Sequence, residues 1–200
     1  MTHERPTPPE PAAASSSHPP VEAGKLGMTL FLASLSMLFV ASLMGYIVIR
    51  SKAEAWPPAG QSSLPNGLWI STAIILLCSV GIHWAKSSAV ADRASALRAA
   101  LLVTTILGLS FLVMQVHNWT TLIASGVTPK NGLYGFTFFF LTALHAAHVI
   151  GGLIPLGFVT KRAWAGAYSS SRHAGVTYCA FYWHFLDAVW MIMFIVMFLI

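Results

Sequence analysis

Phe181-Tyr182-Trp183-His184-Phe185-Leu186-Asp187-Ala188-Val189-Trp190 places a histidine and a carboxylate among aromatic rings, inside an apolar run over 176–200. As a helix rising about 1.5 Å per residue, a run of that length crosses about 30 Å of hydrocarbon. An ionisable side chain at that depth costs several kcal/mol if it is left unpaired. His184 and Asp187 are therefore functional-site candidates by default, and the rest of the chain must either supply their partners or hold them in the bilayer.

Four more apolar runs precede this one, over 26–49, 66–85, 97–119 and 133–159. Helices are the economical way to cross lipid, because each satisfies its own backbone hydrogen bonds. Composition agrees. Of the 200 residues, 56% are hydrophobic and only 8% are charged, against about a quarter charged in soluble domains; mean hydropathy is +0.70. The expected fold class is all-α, a polytopic membrane bundle of five transmembrane helices forming one domain over 25–200. Residues 1–24, with Pro6, Pro8, Pro9, Pro11, Pro19, Pro20 and the run Ser15-Ser16-Ser17, read as a disordered cytoplasmic tail. The tail is too long and polar for a standard signal peptide. Pro155 is expected to kink the fourth helix or end it early.

Net charge is +5, but the basic residues punctuate apolar runs instead of forming a stripe that could track phosphates, which excludes nucleic acid as a partner. They report orientation instead. With five crossings, one side holds Arg5, Lys25, Lys86, Arg93, Arg98, Lys161, Arg162 and Arg172, and the other holds Arg50, Lys52 and Lys130. The positive-inside rule then puts the N-terminus in the cytoplasm and the C-terminus in the periplasm. Cys78 and Cys179 lie within apolar runs without metal-ligand spacing and read as small buried fillers.

His145 and His148 in the fourth segment, and His184 and Asp187 in the fifth, are each spaced i, i+3, so each pair shares a helix face. The two segments are consecutive and antiparallel, and the four side chains are expected to meet near mid-membrane. Three readings stay open: a closed hydrogen-bond network between two helices, a proton-handling group, and a zinc or iron site. The cost of buried polar groups favours the first. His83 and His117 lie toward opposite membrane faces and read as interfacial or packing residues. Phe136, Phe138, Phe139, Phe140, Phe181, Tyr182, Trp183 and Phe185 read as packing surface, and Gly151-Gly152 with Ala146-Ala147 as points of close helix approach. Trp56-Pro57-Pro58-Ala59-Gly60 reads as a stiff outer loop. The sequence contains no phosphate loop, nucleophile elbow or His-Glu-x-x-His motif.

Taken in order, four blocks resemble subunit III of haem-copper terminal oxidases, in the short five-helix bacterial form. Tyr182 to Trp190 is similar to that family's YWHFVDxVW. Tyr134 to Phe139, continued by Thr142 to Gly152, is similar to its FFxxTGxHGxHVxxG helix. Trp56 to Gly60 resembles its WPPxG loop, and Gly108 to Gln115 its GxxFxxxQ pattern. The resemblance covers about residues 25 to 200. It implies an accessory chain of a cytochrome c oxidase in a bacterial inner membrane, part of a proton-translocating oxidoreductase but itself non-catalytic. By the same resemblance the chain carries no cofactor and no metal, with haem and copper in partner subunits. It packs on subunit I, in a complex with subunit II, binds phospholipids and supports proton uptake; cytochrome c or quinol is the donor to the complex. Trp56, Pro57, Pro58, Tyr182, Trp183, Phe185 and Trp190 are the residues expected to pack against lipid and neighbouring subunits.

Three acids usual in that family are absent. Leu35 occupies the place of a buried glutamate in Ser34-Leu35-Ser36-Met37-Leu38-Phe39, Asn118 that of the glutamate in QxxEY, and Thr177 that of the one before the last aromatic block. Asp187 is left as the only acid in the five segments, which favours structural and lipid-binding roles over carboxylate-mediated proton collection. A quinol oxidase subunit, or an accessory protein of nitric oxide reductase, fits the same pattern. A standalone transporter fits less well, since transporters show repeats or broken helices.

Overall fold

The computed structural model describes residues 21–60 and 64–199. Five helices run in order: α1 Val21–Ser51, α2 Gly67–Val90, α3 Ala94–Ala124, α4 Leu133–Trp164 and α5 Ala174–Leu199. All five are long and apolar enough to cross a membrane, as the sequence led us to expect. Among the described residues the single β-type pairing is a bridge between Ser169 and Arg172. Residues 1–20 of the expected tail lie outside the described residues, and Val21 already belongs to α1.

The helices outrun their apolar segments. α2 continues through Ser87-Ser88-Ala89 to Val90, and α3 continues to Ala124, because nothing in those residues breaks a backbone ladder. Pro155 does not end α4, which passes through it to Trp164. A proline here forfeits only the bond to residue 151, and Pro155 faces outward into a cleft instead of the packed core.

α2, α3, α4 and α5 form a closed ring in which each helix packs on its neighbours: α2 on α3, α3 on α4, α4 on α5, and α5 back on α2. α1 stands outside the ring and touches only α4 and α5. Its buried face is short, made by Phe39, Leu43 and Tyr46. The ring interior is filled by Trp183, Trp190, Phe111, Phe138, Ile75 and Leu101, all nearly inaccessible. The outward faces carry Ile70, Leu77, Val80, Val113 and Ile154, an apolar surface suited to acyl chains or to other membrane helices.

At one end of the ring two turns are tied together. Asp92, in the three-residue turn between α2 and α3, takes a left-handed conformation with φ 54°, which aspartate tolerates better than most residues. Its Oδ1 accepts a hydrogen bond from the backbone N–H of Ser170 in the α4–α5 turn, at 2.6 Å. Arg98 adds a second tie, its Nε donating to the Ala163 carbonyl at the end of α4 at 3.2 Å. Ser170, first through its side chain and then through its backbone N–H, holds the Asp92 carboxyl below the usual carboxylate range. A depressed carboxyl stabilises the fold above its ordinary pKa and loses that contribution as pH falls through the lowered value. Asp92→Gly keeps the positive φ and removes the carboxylate. It is expected to unfold at a lower temperature than the parent at pH 7 and to match it in acid. A difference that persists unchanged in acid would place the stabilisation elsewhere.

Candidate functional site: a polar seam in the ring

α5 buries a stripe at helical spacing, Trp183, Leu186, Asp187, Trp190, Met193, Phe194 and Met197, so one carboxylate is carried inward among apolar side chains. The Asp187 side chain is only 7% exposed, while that of His184, one turn earlier, is 38% exposed. His184 Nδ1 lies 3.9 Å from Asp187 Oδ2. The same nitrogen is 2.8 Å from Ser79 Oγ on α2, and Ser79 also faces the Asp187 carboxyl. Neither Asp187 oxygen has a full hydrogen bond from the protein.

The seam continues along α2. The His83 ring lies 6.3 Å from the His184 ring, centroid to centroid, at 52°. Lys86, three residues further on, places Nζ 5.2 Å from the centroid of the Phe181 ring. Ser79, His83 and Lys86 fall on one face of α2 by their i, i+4, i+7 spacing. They run from near the Val90 end toward the middle of the helix.

The structure divides the four residues expected to meet. His184 and Asp187 come together, but no hydrogen bond joins them to His145 or His148. The reason is the ring. α5 packs on both α4 and α2; Tyr182 and Leu186 take the α4 contact at Gly152, which turns Asp187 toward α2. His148 Nδ1 donates to its own-helix carbonyl of Leu144 at 2.7 Å, and its backbone carbonyl accepts the Tyr182 hydroxyl at 2.9 Å. His145 is fully buried in an aromatic enclosure. Its ring lies 5.0 Å from Trp190, 5.6 Å from Phe111 and 6.3 Å from Phe39, and neither nitrogen bonds to protein. Among the described residues no three His, Cys, Asp or Glu side chains gather as a metal ion would require.

Trp56, from the loop after α1, ties that helix to the ring. Its Nε1 donates to the Tyr46 hydroxyl at 3.2 Å, and its ring meets Tyr134 of α4 edge-on at 5.1 Å. Arg50 donates to the same Tyr46 hydroxyl at 3.0 Å and to the Met197 carbonyl of α5 at 3.4 Å. Pro57 lines a small cavity of about 260 Å³ beside these groups, and Pro58 is half-buried. Tyr182, Trp183 and Trp190 are buried and Phe185 is half-buried, so the aromatic block packs inside this chain more than outside it.

At the opposite end, a cleft of about 500 Å³ lies between α1, α4 and α5. Met28, Phe31, Phe158 and Tyr178 give it apolar walls, and Arg162 places one cation on its lining.

Sequence reasoning missed Ser79 as the partner of the α5 pair. The available signal was the shared α2 face of Ser79 and His83. It also missed two interhelical bonds of the ring. Asn118 Nδ2 donates to Ser71 Oγ at 3.0 Å, and Trp119 Nε1 donates to Thr142 Oγ1 at 2.9 Å.

The family profile described as cytochrome c oxidase subunit III matches residues 10–200. The chain is 30% identical over 189 residues to cytochrome c oxidase subunit 3 of Thermostichus vulcanus, covering 94% of this chain and 92% of that one. It is 32% identical to the Synechocystis sp. protein of the same description, covering 95% and 81%, and 34% identical to the Homo sapiens one, covering 88% and 70%.

Proposed function

The chain belongs to the cytochrome c oxidase subunit III family, and from that membership we propose that it is the accessory subunit of a proton-pumping haem-copper oxygen reductase in a bacterial inner membrane. The observation that carries the reading is the match over residues 10–200 on a chain with five membrane-length helices. In this reading haem and copper belong to subunits I and II, which accept electrons from cytochrome c or quinol. This chain chiefly stabilises subunit I and holds lipid, and any support it gives to proton uptake runs through Asp187, the one acid its apolar segments keep. Its N-terminus is cytoplasmic, and the ends carrying Arg93, Arg98, Lys161 and Arg162 face the same side.

The lipid role is supported by the cleft between α1, α4 and α5. Its walls suit acyl chains, and Arg162 suits the phosphate of a headgroup at the membrane surface. The Trp56–Tyr46 and Arg50–Met197 ties hold α1 to the ring at the far end, away from this cleft.

Purification from native membrane tests the assignment. The expected outcome is that this chain copurifies with chains carrying haem and copper, and a colourless chain alone would overturn it. Arg162→Ala is expected to weaken retention of anionic phospholipid about fivefold, the equivalent of about 1 kcal/mol for one basic residue at the surface. Counting bound lipids by mass spectrometry of the intact complex checks this.

A further inference from the structure

We propose that Lys86, His83, His184 and Ser79 form a proton-exchange path between the basic end of the ring and the buried carboxyl of Asp187, which accepts and returns a proton at mid-membrane. This deepens the proton-uptake part of the reading above and rests on it only for its role in the complex. The path itself rests on the geometry of α2 and α5.

Depth supports it first. At about 1.5 Å per residue, Lys86 lies about 6 Å from the Val90 end of α2, His83 about 10 Å and Ser79 about 16 Å. His184 lies about 15 Å from the start of α5 at Ala174 by the same measure. The residues descend from one surface in steps of about a helical turn.

Chemistry and spacing support it next. A carboxylate that is 7% exposed with no full hydrogen bond is costly as a charge beside apolar rings, and uptake of a proton relieves that cost. A neutral imidazole takes a proton on one nitrogen and gives one up from the other. At the mouth, a hydrated proton entering past Lys86 protonates His83, whose side chain lies on the outer face of α2. His83 passes it to His184 across a 6.3 Å centroid separation, a gap of the size one water can span. His184 Nδ1, 2.8 Å from Ser79 Oγ and 3.9 Å from Asp187 Oδ2, delivers it once a side-chain rotation closes the second gap to hydrogen-bond reach, about 3 Å. The carboxylate becomes a carboxylic acid and His184 returns to neutral, so the charge moves without any other reactant.

The ionisable groups around the seam can be named element by element. From α2 the ionisable groups facing the seam are Lys86, His83 and the Cys78 thiol, which feels the Asp187 charge. α4, the other ring neighbour of α5, directs His145 toward Phe111 and Trp190 and His148 toward the Leu144 carbonyl. α1 places Arg50 at the Met197 end, away from the seam, and Lys25 at the basic end, in a cavity that it shares with Phe181.

The test is hydrogen–deuterium exchange at the Asp187 carboxyl, followed by infrared difference spectroscopy of the native complex after transfer to D2O. Asp187→Asn identifies the band by removing it. His83→Phe and His184→Gln are each expected to slow the exchange at least about tenfold, or about 1.4 kcal/mol in barrier, while His145→Gln leaves it unchanged. Exchange that is insensitive to His83 and His184, or slowed only by His145→Gln, would overturn the path. So would the absence of a protonated carboxyl band at every pH tested. The same measurement on the full chain alone in lipid nanodiscs separates the two claims. A chain that never copurifies with haem and copper would fail as an accessory subunit yet still report whether its own path exists.

Discussion

Trp190→Ala is expected to destabilise the purified chain by about 4 kcal/mol, the largest loss we expect from any single truncation. Trp190 is fully buried on α5 and reaches all three other helices of the ring. Its ring meets Phe111 of α3 at 4.9 Å and 90°, and His145 of α4 at 5.0 Å. Its Nε1 donates to Thr72 Oγ1 of α2 at 3.0 Å. Removing so large a buried side chain costs about 3–5 kcal/mol in lost contacts and residual cavity. The lost interhelical hydrogen bond adds only about 0.6 kcal/mol, and less here because the Thr72 hydroxyl keeps its bond to the Leu68 carbonyl. Trp190→Phe keeps a ring against Phe111 and His145 and is expected to cost well under half as much. Thr72→Val strands the indole N–H, at about 1–3 kcal/mol. Equilibrium unfolding in detergent, together with the fraction of complexes that keep this subunit, measures the series. If Trp190→Ala were as stable as the parent, the ring would not depend on α5 as its central strut.

Much of this fold was legible in the sequence because lipid permits so few solutions. Five apolar runs of membrane length, with few charges, leave little choice but five helices. Their ends were less legible, since hydropathy marks the hydrocarbon and not the backbone: Ser87-Ser88-Ala89 look like an exit from the membrane, yet they continue α2. The side-chain partners were least legible. His145, His148, His184 and Asp187 lie on consecutive helices at matching spacing, and adjacency in sequence argued that they meet. Ring closure decides otherwise, because α5 has two ring neighbours and gives Tyr182 to one and Asp187 to the other. No local pattern encodes that rotation. Ser79, one small hydroxyl among apolar residues, carried little signal of its own. That Trp56 to Gly60 forms a loop was readable from its prolines. The grip of Trp56 on Tyr46 and Tyr134 required the helices to be placed first.

Gly152→Leu is expected to push α5 off α4, because that position has no room for a side chain. A Cβ there would lie 2.7 Å from Cε1 and 3.1 Å from Cδ1 of Tyr182, with Leu186 Cδ1 at 3.5 Å. The Tyr182 ring cannot simply swing aside, since its hydroxyl is fixed to the His148 carbonyl at 2.9 Å and the side chain is buried. Overpacking of this kind costs about 1–3 kcal/mol or more, and in lipid it strikes where close backbone approach supplies the association energy. Gly157, on the same helix, has nothing within 4 Å of its added Cβ. There Gly157→Ala is expected to be neutral or stabilising by up to about 1 kcal/mol, through helix propensity alone. The same type of residue on one helix thus predicts opposite signs, and thermal unfolding of the two variants reads them directly. Tyr182 also lines the cleft assigned to lipid, so Gly152→Leu should release bound lipid as well as lower stability. Adding Tyr182→Ala to Gly152→Leu removes the clash and should recover part of the stability, making the double variant less damaged than the sum of its two single changes. Strict additivity would mean that the two residues do not meet, and that α4 and α5 are held together by some other contact.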